Sequence, residues 1–158
     1  MITGLRSALF CESVKMQPDG RIDLIGLRPD RFTYDQRPNV ETLDLFLVVD
    51  FDGQGARGHV QLEAPHFSHR VPFATPAGVS SSAMFFTLVI PLVESGPIVV
   101  SVVDGANRTR PFKARWRIAF EENAKDMGQE KVPDLIRFCN EETAKRLSSL
   151  RGRAPETH

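Results

Sequence analysis

The sequence predicts a mainly β fold, an antiparallel β-sandwich of immunoglobulin-like or C2-like kind, followed by a C-terminal α-helix. Three observations carry this reading. From residue 5 to 120, short apolar segments, several alternating with period two, are separated by Pro, Gly and Asp turn signals. Many short strands joined by such turns build a sandwich or a barrel. After Phe120 the apolar period becomes helical, at Ile136, Cys139, Thr143, Leu147 and Leu150.

The elements follow in order. Residues 5–16 are apolar-rich and form the first strand. Gln17-Pro18-Asp19-Gly20 then turns the chain, because proline presets φ and glycine accepts a positive one. Residues 21–27 are the returning strand, and residues 28–39, charged and holding two prolines, read as a crossing loop. In 41–51, Leu43, Leu45, Leu47, Val49 and Phe51 share one face, with Thr42, Asp44 and Asp50 on the other. Residues 52–55 turn, and in 58–64 Val60, Leu62 and Ala64 oppose His59, Gln61 and Glu63. A short strand over 66–73 is followed by a Pro/Gly/Ser-rich stretch, 74–82, that reads as a mobile loop. Residues 84–93 are apolar on both parities, the pattern of a central strand covered on both sides, and 98–103 are similar. Asp104-Gly105-Ala106-Asn107 closes a hairpin onto 109–120, where Phe112, Ala114, Trp116, Ile118 and Phe120 oppose Lys113, Arg115 and Arg117. Val132-Pro133-Asp134 is a helix start. The expected organisation is a sandwich over 1–120, a polar linker over 121–131, an amphipathic helix over 132–150 and a disordered tail over 151–158.

The strand Ala8-Leu9-Phe10-Cys11-Glu12, its Gly turn, the return ending Leu24-Ile25-Gly26-Leu27 and the later Val103-Asp104-Gly105 resemble a bacterial family of uncharacterised β-sandwich proteins. The resemblance covers residues 5–120. Ser95-Gly96-Pro97-Ile98 departs from the Pro-Gly-aromatic step of that family, and the C-terminal helix lies outside it. It implies the sandwich and no activity.

Composition narrows the function classes. A chain of 158 residues is one domain, long enough to bury a core without staples. Its formal net charge of +0 argues against a protein devoted to neutralising phosphates. Two distant cysteines, Cys11 and Cys139, do not make a disulfide framework and suit a reducing cytoplasm. No apolar run approaches the ~20 residues of a membrane helix.

Several clusters have chemistry within reach. Glu63, His66 and His69 are zinc-type ligands, though on a strand the two histidines would face opposite sides, and edge-surface histidines look the same. Asp19, Asp50, Asp52 and Asp104 would fall at one end of an up-and-down sandwich and could form a calcium cage; Asp is equally the ordinary residue of such turns. Lys113, Arg115 and Arg117 line one strand face and could hold an anionic partner, or be a solvated face. Ile136 and Leu147 on the helix stripe could bind the sandwich or a partner. Cys11 and Cys139 fall on apolar faces, and no nucleophile elbow or phosphate loop is present.

These features point to a non-enzymatic cytoplasmic binding or adaptor module acting through protein–protein contacts or self-association, with no cofactor, no nucleic acid and no membrane. Two further readings stand beside it: a zinc- or calcium-dependent domain or enzyme, and a structural subunit of a larger assembly such as a phage or secretion particle.

Overall fold

Each period-two segment becomes a strand in the computed structural model, which describes residues 1–150, without the side chain of Leu150. The strands are β1 (Ile2–Met16), β2 (Ile22–Leu27), β3 (Arg31–Arg37), β4 (Asn39–Phe51), β5 (Gln54–Ala64), β6 (Phe67–Ala77), β7 (Ser81–Leu92), β8 (Gly96–Asp104) and β9 (Phe112–Asp126). A 3₁₀ turn (Gln129–Lys131) leads into α1 (Val132–Leu150). The expected tail over 151–158 and the Leu150 side chain lie outside the described residues.

The strands form two packed sheets, ordered β2-β1-β4-β7 and β3-β9-β8-β5-β6. Pairing is antiparallel except between β3 and β9, which run parallel. The inward parity of each strand fills one core. Leu43, Leu45, Leu47, Val49 and Phe51 of β4 face Val60 and Leu62 of β5, Ile98, Val100 and Val102 of β8, and Trp116 and Ile118 of β9 across it. Phe10 is fully buried at its centre, edge-on to Trp116 (ring centroids 4.6 Å apart) and to Phe32 (5.8 Å). Burial of one such ring is worth about 1.5–3 kcal/mol. Gly58 marks the tightest point between strands: a Cβ there would strike the Val103 carbonyl oxygen and crowd Ile2 and Phe73.

Helix α1 closes the side of the sandwich where β7 and β6 are the edge strands. Cys139, Thr143 and Leu147 are its buried residues, and Leu147 belongs to the core. The Thr143 hydroxyl accepts the Val89 amide (3.0 Å) and donates to the Val89 carbonyl (3.1 Å). One side chain thus completes the outward-facing backbone pair of an edge strand. Asn140 satisfies one carbonyl of the β5–β6 turn, donating to His66 (2.9 Å).

Several elements differ from the sequence expectation. The supposed crossing loop over 28–39 contains β3, whose Phe32 supplies a core ring. The supposed mobile loop over 74–82 is mostly strand, β6 and β7 meeting through a short turn at Gly78. The linker expected over 121–131 is strand as far as Asp126, because β9 outruns β8 and pairs on with Gln36 and Arg37 of β3. β7 is an edge strand rather than a central one. It is apolar on both parities because one face meets the core and α1 packs along it.

Candidate functional site

The outer face of the five-stranded sheet gathers six basic side chains that have no carboxylate partner among the described residues. Inward Trp116, Ala114 and Phe112 pair with Ile98, Val100 and Val102, so the alternate residues Arg117, Arg115 and Lys113 stand outward and exposed. The same register carries the charge across the sheet. Arg31 of β3 lies directly beside Arg117. Lys113 is in a row with Ser101, Gln61 and Arg70 of β8, β5 and β6. Arg57 extends the face toward the start of β5. Among the described residues none of Arg31, Arg57, Arg70, Lys113, Arg115 or Arg117 has a carboxylate within 4.0 Å. Glu63 is the carboxylate of the central rows, set two strands from Arg115. A chain of zero formal charge has therefore sorted an excess of cations onto one flat surface. His59 is half-buried on this face; burial and then the nearby Arg70 lower its pKa and favour the neutral ring.

The other sheet shows the opposite character outside. Leu9, Phe46 and Phe85 are register partners across β1, β4 and β7, and Leu9 and Phe85 are exposed large apolar residues.

The proposed zinc ligands do not converge. Glu63 pairs with Ser68 on the outer face, whereas His69 pairs with Leu62 on the inner one. His69 stacks near Phe67 (4.6 Å), and its Nε2 lies 2.9 Å from Asn140 Oδ1. The Asn140 amide nitrogen is committed to two carbonyls, His66 and Ile136, so its oxygen is the acceptor and His69 carries a proton on Nε2. Burial lowers the His69 pKa, against a smaller opposite effect of Asn140. His66 sits in the β5–β6 turn at φ 59, with Nε2 2.8 Å from Glu94.

The acidic set does not gather either. β1 starts at the end of the sandwich where β4 finishes, so Asp50, Asp52 and Asp104 share that end. Asp19, in the turn after β1, lies at the opposite end, because β1 runs the length of the sheet. Each acid is taken up by a donor of the chain. Asp19 accepts the Arg21 amide (3.0 Å), Asp50 pairs with Arg6 (2.9 Å) and Asp52 pairs with the terminal ammonium of Met1 (2.8 Å). Asp104 is almost completely buried and accepts the amides of Ile2 (3.0 Å) and Ala106 (2.9 Å). Burial pushes its pKa up, but those two amides, with Arg108 and the ammonium, outweigh it and hold the carboxyl below its ordinary value. Among the described residues, no group of three or more His, Cys, Asp and Glu is arranged to hold a metal ion.

Of the two helix residues expected at a partner contact, Leu147 is used internally, in the core. Ile136 is half-buried on α1, which packs on β7 and β6. Both thiols are free and buried. Burial and then Asp44 raise the pKa of Cys11, and burial pushes Cys139 up to about 11. Neither is poised as a thiolate. No helix among the described residues is long and apolar enough to cross a membrane. No family model matches the chain, and no curated protein matches it.

Sequence reading found the Lys113–Arg117 stripe and missed Arg31, Arg57 and Arg70. Only the register of β3, β5 and β6 places those three on the same face.

Proposed function

We propose that this protein is a non-enzymatic binding module that acts through protein–protein contacts, with the basic outer face of the five-stranded sheet as its docking surface for an acidic protein partner. The observation that supports this most is the set of unpaired cations running from Arg31 to Arg70 across that face. Arginines outnumber lysine in it, and guanidinium suits carboxylates because its planar fork donates two parallel hydrogen bonds. An acidic polypeptide fits better than a nucleic acid. The aromatic side chains of β9, Phe112 and Trp116, face inward, which leaves this part of the face without a platform for stacking bases. The two free, buried thiols support placing the protein in a reducing cytoplasm.

The test is affinity capture from the native host with the wild type and with Arg115→Glu/Arg117→Glu, at low salt and at about 0.5 M salt, where screening shortens electrostatic reach to a few ångströms. Acidic proteins retained by the wild type at low salt, and lost both with the variant and at high salt, are the expected result. Retention of the same proteins by both forms would show that the contact lies elsewhere, and enrichment of nucleic acid instead of protein would overturn the choice of partner.

A further inference from the structure

We propose that the cleft lined by Ser95, just before β8, and by the paired strands β3 and β9 is a site for one oxyanion, a carboxylate or a phosphate, held by Arg31, Arg117 and Ser95. It lies at one end of the basic face and so rests on that reading of the surface, but it makes a narrower claim. Arg31 and Arg117 are register partners on adjacent parallel strands. Like charges directly opposite one another in a sheet repel, and no carboxylate among the described residues sits within 4.0 Å of either to relieve them. The other neighbour of Arg117 is the uncharged Pro97. The Arg117 amide donates to the Asp30 carbonyl (2.8 Å), which fixes the entry of β3 against β9 and with it the separation of the two arginines.

The space beside them is a cleft of about 260 Å³, lined also by Ser95, Arg37, Phe120 and Glu121. That is several water volumes, enough for an oxyanion group. Arg37 is a wall rather than a ligand, since it pairs with Asp126 (2.9 Å) and lies over the Phe120 ring (5.3 Å). Glu121 is the opposing charge in the lining. Two uncommitted guanidinium groups and a hydroxyl against one carboxylate still favour an anion, and each guanidinium can engage it with two donors.

The experiment is a titration of the arginine Nε–H signals with inorganic phosphate and with acetate, at constant ionic strength set by chloride. It compares the wild type, Arg31→Gln/Arg117→Gln and Arg57→Gln/Arg70→Gln. Saturable shifts at Arg31 and Arg117, at least tenfold weaker binding in the first variant and less than twofold change in the second are the expected results. Tighter binding of phosphate than of acetate identifies a phosphorylated group as the source; equal binding identifies a side-chain or terminal carboxylate. Shifts that never saturate and spread evenly over all arginines would reduce the effect to screening and overturn the site. An acidic peptide that binds the wild type and Arg31→Gln/Arg117→Gln equally would also overturn the site while leaving the acidic-partner reading intact. Phosphate binding at Arg31 and Arg117 without binding of any acidic peptide would uphold the site and refute that reading.

Discussion

Replacing Thr143 by valine keeps the shape of the helix–edge contact and removes only its hydroxyl. Thr143 is completely buried, and Val89, which it serves, is 4% exposed. The hydroxyl is the partner of both the Val89 amide and the Val89 carbonyl, at 3.0 and 3.1 Å. A buried donor or acceptor left without a partner costs about 1–3 kcal/mol, so two such groups, with some relaxation toward water, predict a loss of about 2–4 kcal/mol. At about 2–4 °C per kcal/mol for a domain of this size, the melting temperature should fall by about 4–16 °C. Urea denaturation with an unchanged slope is the assay, joined by amide exchange at Val89, which should lose protection. Thr143→Ser is the control: it keeps both bonds and loses one methyl, about 0.8 kcal/mol. A Thr143→Val protein within about 0.5 kcal/mol of wild type, a size typical of neutral surface changes, would refute the idea that the hydroxyl closes this edge.

Three further predictions test the interior. Asp104→Asn should destabilise by about 1–3 kcal/mol, because an amide oxygen replaces a charged acceptor of two buried amides. The Asp104 carboxyl is held below its ordinary value, so its contribution is present above about pH 4 and lost as pH falls through the native value; acid denaturation curves should show a shallower acid limb in the variant. The lowered His69 pKa has its effect in a different window: stability should be unaffected above about pH 6.5 and should decline below it as the unfolded chain takes up the proton first, and His69→Gln should flatten this decline in melting curves from pH 7.5 to 5. Leu147→Asp should cost at least about 3 kcal/mol through lost burial and a charge in the core, with light scattering showing the same oligomeric state as wild type.

The strands with clean alternation were legible from the sequence because one face had to be buried. β4 and β9 show this best, since Leu43 to Phe51 and Phe112 to Trp116 point inward as their period requires. The Pro18–Gly20 hairpin and the helix start at Val132 were legible for local reasons of turn and cap chemistry. What the period could not show was tertiary. β3 has one buried core residue, Phe32, with half-buried Tyr34 beside it among mostly exposed polar ones, and its strand is made by pairing with β9 rather than by its own pattern. β7 looked central because an edge strand beside a helix is as dry as one between two strands. The acidic turns looked like one cluster because sequence gives no strand lengths to judge ends by, and the fifteen residues of β1 put Asp19 far from Asp52.

The same logic bears on which surface is free for a partner. The sequence offers, among its contact surfaces, the stripe of α1 and the stripe of β9. A helix of nineteen residues is marginal alone and needs its apolar face packed. Here that face, through Cys139, Thr143 and Leu147, is spent on β7 and β6, where it also satisfies backbone groups that an open edge would leave unpaired. Withdrawing α1 to bind a partner would strip the core of Leu147 and leave Val89 without its partners, so a partner would have to replace both at once. Docking on the outer face of the five-stranded sheet requires no such exchange. Its cations are already outward, on backbone positions set by strand register rather than by loops, so the proposed acidic partner would displace no part of the fold. The helix therefore belongs to the stability of the fold, and the proposed partner contact is placed on the basic face.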